Sequence, residues 1–207
     1  MAQRSSTKLN LVLVRSGRTE WDLASRLAGR SDHPLSASGR EELLSILEDA
    51  ELPEVGIVLH GPDEASAATA EMLAAKAGAR MREVAGLAEA DLGLWCGLLP
   101  GDLEERYPTA FGQWREDPGA VSVPEGESAA DVEGRLVRAV LSATERMKLN
   151  GKAVAIVLRP VAFQLFRRRL LDRPLSEVWA PETGPPLLEP FSIEIGALKP
   201  RPIQAGA

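Results

Sequence analysis

Three apolar runs in this chain end on residues that can do chemistry: Arg15-Ser16-Gly17-Arg18, His60-Gly61 and Arg159-Pro160. Arginine stays protonated and carries a rigid fork of donors, so Arg15, Arg18 and Arg159 together would draw in an anion. Ser16 and Gly17 would add backbone N–H groups ahead of a helix, completing an anion cradle. The Ser16 hydroxyl becomes a nucleophile only beside a base. His60 is the candidate base, although a histidine hydrogen-bonded at the end of its own strand is the simpler reading. His33, in Gly29-Arg30-Ser31-Asp32-His33-Pro34, reads as a loop residue. Cys96, next to Trp95, reads as a buried, inert thiol. With His33 and His60 the only histidines, a zinc site is not expected, and no other cofactor is called for.

The elements that must position these groups alternate. Leu9 to Val14, Val55 to Leu59 and Ala153 to Leu158 are short apolar runs rich in branched residues, the pattern of strands buried on both faces. Ala79 to Val84 reads as a further short strand, and the alternation of Phe191, Ile193 and Ile195 as a final, half-exposed one. Between them lie helical patterns. Ser38 with Glu41 fits a capping box ahead of Leu43, Leu44, Ile46 and Leu47. Glu64 to Ala77 is alanine-rich, with Gly78 placed to end it. Ser128 to Asn150 carries an apolar stripe and meets Gly151, and Pro160 to Leu171 begins on a proline. Such alternation predicts a mostly parallel sheet covered by helices on both faces. Ligands then sit beyond the carboxyl ends of the strands, where the three reactive stretches lie.

The Gly- and Pro-rich region 85–126, holding Trp95 and Trp114, reads as an insertion over that end of the sheet, with Trp21 and Trp179 as core residues elsewhere. Residues 9–196 are read as one domain, flanked by flexible ends over 1–8 and 197–207. Arg167-Arg168-Arg169 reads as a solvated basic face of the last helix.

Bulk properties narrow the function classes. At 207 residues the chain is long enough for one well-buried core, and 44% hydrophobic with 26% charged residues suits a globular protein. The net charge of −6 argues against nucleic-acid and anionic-membrane partners. No run approaches the ~20 apolar residues of a membrane span. The polar Met1 to Lys8 lacks a signal-peptide core, and a lone cysteine forms no internal disulfide, so a cytoplasmic location is expected.

Order and spacing of several pieces carry a resemblance: Leu13-Val14-Arg15-Ser16-Gly17; Arg26 with Gly29 to Ser36 and Gly39; Leu87-Ala88-Glu89 with Gly93-Leu94-Trp95-Cys96-Gly97; and Glu125-Gly126-Glu127-Ser128. Together they resemble the histidine phosphatase superfamily, the phosphoglycerate mutase-like proteins, over roughly Leu9 to Ile195. The resemblance implies a three-layer α/β/α fold with a mostly parallel central sheet. It also implies a phosphoryl pocket of two arginines, two histidines and an acidic glutamate. Arg15 matches the first arginine and Glu89 the general acid. Ser16 stands at the place of the nucleophilic histidine, Ala65 (ahead of Thr69-Ala70) at the second arginine, and Arg159 at the second histidine.

Three of the five positions are thus changed. General acid catalysis by Glu89 alone is worth about 10²–10⁴-fold, well short of the roughly millionfold expected of an enzyme. The expectation is a pseudophosphatase that binds a small phosphorylated or anionic ligand through Arg15, Ser16, Gly17, Arg18 and Arg159. An active phosphomonoesterase or mutase with an altered pocket is the alternative. Two arrangements of Arg159 stay open, ligand binding or an internal salt bridge with Glu89. Related folds often pair, so a homodimer is an option that the resemblance raises.

Overall fold

Five strands form one sheet in the order β3-β2-β4-β1-β5. They are β1 (Lys8–Arg15), β2 (Val55–His60), β3 (Arg80–Glu83), β4 (Ala153–Leu158) and β5 (Leu188–Glu194). This computed structural model describes residues 8–117, 121, 123–145, 147–173 and 188–198. The first four strands run parallel, and β5 joins the β1 edge antiparallel. The expected flexible ends and Trp179 lie largely outside the described residues.

The sheet separates two cores because alternate side chains leave opposite faces. Leu9, Leu11 and Leu13 of β1 join one cluster, and Val12 and Val14 the other. The smaller core packs under α2 (Ala37–Asp49) and α3 (Glu64–Ala77). The larger packs under α6 (Ala129–Thr144) and α7 (Pro160–Leu170). The layering is the α/β/α arrangement that the alternating pattern predicts. Among the described residues, no helix is long and apolar enough to cross a membrane.

Most element boundaries follow local chemistry. Asp63 accepts from the Ser66 N–H to start α3, and Gly78 ends it at φ +60°, a conformation that suits glycine. The start of α2 differs from the Ser38 cap expected. Ser36 caps it instead, accepting from the Gly39 N–H at 2.9 Å and donating to the Arg18 carbonyl at 3.0 Å. One hydroxyl therefore ties the helix to the loop after β1. The helix expected to reach Asn150 stops at Thr144. Asn150 and Gly151 both take positive φ, and together they turn the chain back into β4.

The region from Ala85 contains two short helices, α4 (Pro100–Arg106) and α5 (Pro108–Glu116), preceded by 3-10 turns. Trp95, Leu103 and Trp114 are buried in the same cluster as Leu11 and Phe163, so this region shares the core of the sheet. The basic face expected at Arg167-Arg168-Arg169 is not solvated. Arg168 is 1% exposed, Arg167 pairs with Glu189 of β5, and Arg169 lies 3.8 Å from Glu133 of α6. The acids that draw these side chains inward arrive from distant parts of the chain, which a local charge pattern does not reveal.

Candidate functional site

The parallel register fixes which strand ends meet. Arg15 sits opposite Leu158, and His60 opposite Val157, so the carboxyl ends of β1, β4 and β2 lie side by side. Beside them is a polar cavity of about 220 Å³, lined by residues 29–32, Pro62, Asp63, Ala88, Glu89 and Arg159.

Arg159 caps the start of α7 and is 2% exposed. Its Nη1 lies 3.0 Å from Asp22 Oδ2, and its Nη2 donates to Asp22 Oδ1 at 3.2 Å. Nη1 also donates to Ser16 Oγ at 3.4 Å, and Nε is 4.0 Å from Asp63 Oδ1. Asp22 belongs to α1 (Glu20–Leu23), a single turn begun by a reciprocal cap between Thr19 and Asp22.

The Arg159–Glu89 salt bridge, one of the two arrangements left open, is not formed among the described residues. Glu89 instead accepts backbone N–H groups from Ala90 (2.7 Å), Ala162 (2.7 Å) and Val161 (2.9 Å). Pro160 opens α7 without an N–H, so Val161 and Ala162 present its first free donors, and a carboxylate is the natural partner for them. Burial pushes the Glu89 carboxyl above its ordinary range. The three N–H donors and the nearby Arg159 charge work against that rise without cancelling it.

The anion cradle expected after β1 is not assembled as a unit. The Ser16 N–H donates to the Leu158 carbonyl at 2.8 Å, extending the β1–β4 ladder. The Gly17 N–H donates to Thr69 Oγ1 at 3.0 Å, and that hydroxyl donates in turn to the Ala65 carbonyl at 2.7 Å. Arg18 turns outward and pairs with Glu42 of α2 at 2.8 Å. Both N–H groups and one arginine are therefore already engaged. Arg15 differs, since its Nε is buried without a hydrogen-bond partner among the described residues. Burial lowers the Arg15 pKa, and the Arg18 charge acts in the same direction against Glu42 and Asp22.

His60 is buried, with Nδ1 2.7 Å from the Gly61 carbonyl, which makes Nδ1 the protonated nitrogen. No His60–Ser16 hydrogen bond is present among the described residues. His33 lies half-buried in its loop and stacks on Trp21, with ring centroids 4.2 Å apart. Trp21 is accordingly a half-buried surface partner and not the core residue expected. Cys96 corrects another expectation, being exposed, with Sγ donating to the Ala28 carbonyl at 3.2 Å. A 3-10 turn followed by Gly97 at φ +82° sends Trp95 inward and Cys96 outward.

Three residues that shape this site had no role in the sequence reading. Arg135 of α6 binds Glu127 through Nε (3.0 Å) and Nη2 (2.7 Å). It also donates to the carbonyls of Gly86, Ala88 and Glu89. Arg30 reaches Glu127 at 3.0 Å. Burial alone would raise the Glu127 carboxyl, but the Arg135 fork, the Asp91 N–H and the Arg30 charge outweigh it and hold the group below its ordinary value. These residues clamp the segment that carries Glu89. Arg30 and Glu127 stood inside the quoted motifs, yet nothing in the sequence pointed to Arg135 as their partner.

Over residues 11–192 the chain matches the profile of the histidine phosphatase superfamily, branch 1. It belongs to that superfamily. It is 27% identical over 172 residues to phosphoserine phosphatase 1 of Hydrogenobacter thermophilus, covering 83% of this chain and 81% of that protein. Its fold is similar to that of YhfR of Bacillus stearothermophilus, with a TM-score of 0.75, 27% identity and coverage of 84% and 85%. A mycobacterial glucosyl-3-phosphoglycerate phosphatase, solved in complex with inorganic phosphate, matches with a TM-score of 0.67 and 26% identity, covering 84% of each chain.

Proposed function

We propose that this member of the superfamily is a pseudophosphatase, a histidine-phosphatase fold without phosphoryl-transfer activity that serves as an anion-binding, regulatory module. The observation that carries the reading is the partner of Ser16. Its Oγ faces the Arg159 guanidinium, which stays protonated and takes no proton from a hydroxyl. His60 directs Nδ1 at the Gly61 carbonyl, and no His60–Ser16 hydrogen bond is found among the described residues. A hydroxyl with no base beside it is a poor nucleophile near neutral pH.

The anion-binding half of the reading rests on Arg15. Its Nε is buried without a hydrogen-bond partner among the described residues, and a related fold takes up inorganic phosphate. With Arg18 and Arg159 paired internally, such binding is weak and depends on one guanidinium. The alternative of an active phosphomonoesterase draws on one specific observation. Burial raises the Glu89 carboxyl toward the protonated form that a general acid needs.

An assay with p-nitrophenyl phosphate across a range of pH separates the two. The expected result is no turnover above background, and the same for Glu89→Gln. Clear turnover that disappears in Glu89→Gln would overturn the proposal. Phosphate titration followed by NMR should give weak, saturable shifts that vanish in Arg15→Ala. The double variant Ser16→His, Arg159→His should recover little activity, because Ala65 and Pro160 remain.

A further inference from the structure

Arg159 is positioned from inside the fold, and the group that neutralises it is positioned from outside. The guanidinium belongs to the residue between β4 and α7, and its side chain is 3% exposed. Its principal partner, Asp22, comes from α1, a single turn in which no residue is buried. Trp21 of that turn rests on His33, and Leu23 is 38% exposed. A surface turn with so little buried contact opens locally at low cost. Asp22 meets the arginine with both carboxylate oxygens, Oδ2 at 3.0 Å from Nη1 and Oδ1 at 3.2 Å from Nη2. That two-point contact is the one by which a guanidinium also holds a phosphate. Asp63 is a weaker rival, since its Oδ1 is 4.0 Å from Nε and already accepts the Ser66 N–H. Arg159 also lines the polar cavity, which gives a small solute a route to it.

We propose that the Asp22 carboxylate is an intramolecular competitor for Arg159, holding the guanidinium that an external oxyanion such as inorganic phosphate takes when α1 lifts. The inference rests on the anion-binding reading and adds its regulation. The resting chain binds anions weakly because its own carboxylate already occupies the fork. The exchange balances in charge, since one oxyanion leaves the guanidinium as another arrives, and the arginine is never left buried and unpaired. The Asp22 charge also reaches Arg15, so its departure strengthens the positive field at the second arginine as well.

The test is a phosphate titration followed by NMR at constant ionic strength, on the full chain and three variants. Asp22→Asn keeps the side chain's shape and an oxygen for the Thr19 N–H. It should bind phosphate about tenfold more tightly than the unaltered protein, the worth of one charge-assisted contact. The double variant Asp22→Asn, Arg159→Met has the net charge of the original pair and should lose that gain. Glu20→Gln removes a neighbouring exposed carboxylate and should bind as the unaltered chain does. Should Asp22→Asn not fold in phosphate-free buffer, added phosphate should restore its folded signal where chloride does not. The inference is overturned if Asp22→Asn binds no more tightly than the unaltered protein, or if Glu20→Gln matches its gain. A gain that survives Arg159→Met, or an unfolded Asp22→Asn that phosphate does not rescue, overturns it too. The anion-binding reading fails separately, when the unaltered chain binds no phosphate while Asp22→Asn binds it through Arg159.

Discussion

Two cavities of nearly equal size, about 220 and 230 Å³, meet at the start of α7, and they are satisfied in opposite ways. In the polar one, nearly every charge has found a partner in its own chain. Arg159 holds Asp22, Arg30 holds Glu127, and Glu89 holds the N–H groups of Val161 and Ala162. In the apolar one, between α4, α5 and the first turn of α7, the wall residue Trp95 is wholly buried, and its Nε1 has no hydrogen-bond partner among the described residues. A cavity rich in ionisable groups can thus engage most of its charges internally, with Asp63 Oδ2 the described lining atom that is buried without a hydrogen-bond partner. The number of reactive side chains around a pocket is a poor guide to what it still needs.

The largest effect should come from opening the closed side. Asp22→Ala leaves the nearly buried Arg159 guanidinium without its principal carboxylate and should cost about 4 kcal/mol in chemical denaturation. Arg159→Met removes charge and cost together, and should cost clearly less. On the apolar side, Leu103→Ala enlarges the cavity and should lower stability by about 3 kcal/mol, read from the denaturant midpoint at unchanged slope. Arg135→Lys keeps the charge but loses the fork on Glu127 and should cost about 2 kcal/mol.

Two carboxylates, Glu89 in the wall of the polar cavity and Glu127 behind Arg30, should affect stability with opposite dependence on pH. The raised Glu89 makes the folded chain bind more protons, so its contribution falls as pH climbs through its folded value. The lowered Glu127 contributes above the ordinary carboxylate range, and that contribution is lost as pH falls through its folded value. Glu89→Gln should therefore destabilise more near pH ~5 than near pH ~8, and Glu127→Gln more near pH ~7 than near pH ~3, in paired unfolding curves. The smallest effect belongs to Arg18→Ala. Its exposed pair with Glu42 should change stability by no more than about 0.5 kcal/mol.

Much of the fold was legible because it is local or periodic. The buried strands and α3 with its glycine end announce themselves in apolar runs and single capping residues. The family also was legible, from the order of its motifs. What the sequence hid is partner choice. Arg159 has three acids nearby, Glu89, Asp22 and Asp63, and only the direction of α7 shows that Glu89 belongs to the helix N-terminus, leaving Asp22 as the main partner of the arginine. Ser16 and Gly17 look like free donors until Leu158 and Thr69 arrive from distant segments to accept from them. The inward turn of Arg167-Arg168-Arg169 and the outward turn of Cys96 have the same origin, since neither exposure is set by neighbours in sequence.

Arg135 engages one carboxylate and three main-chain carbonyls at once. A planar fork fastened at so many points behaves as a fixed strut. The stretch from Gly86 to Glu89 consequently takes its shape from main-chain contacts that do not depend on the charge of Glu127. That stretch is thus a fixed frame that holds Glu89 beside the start of α7.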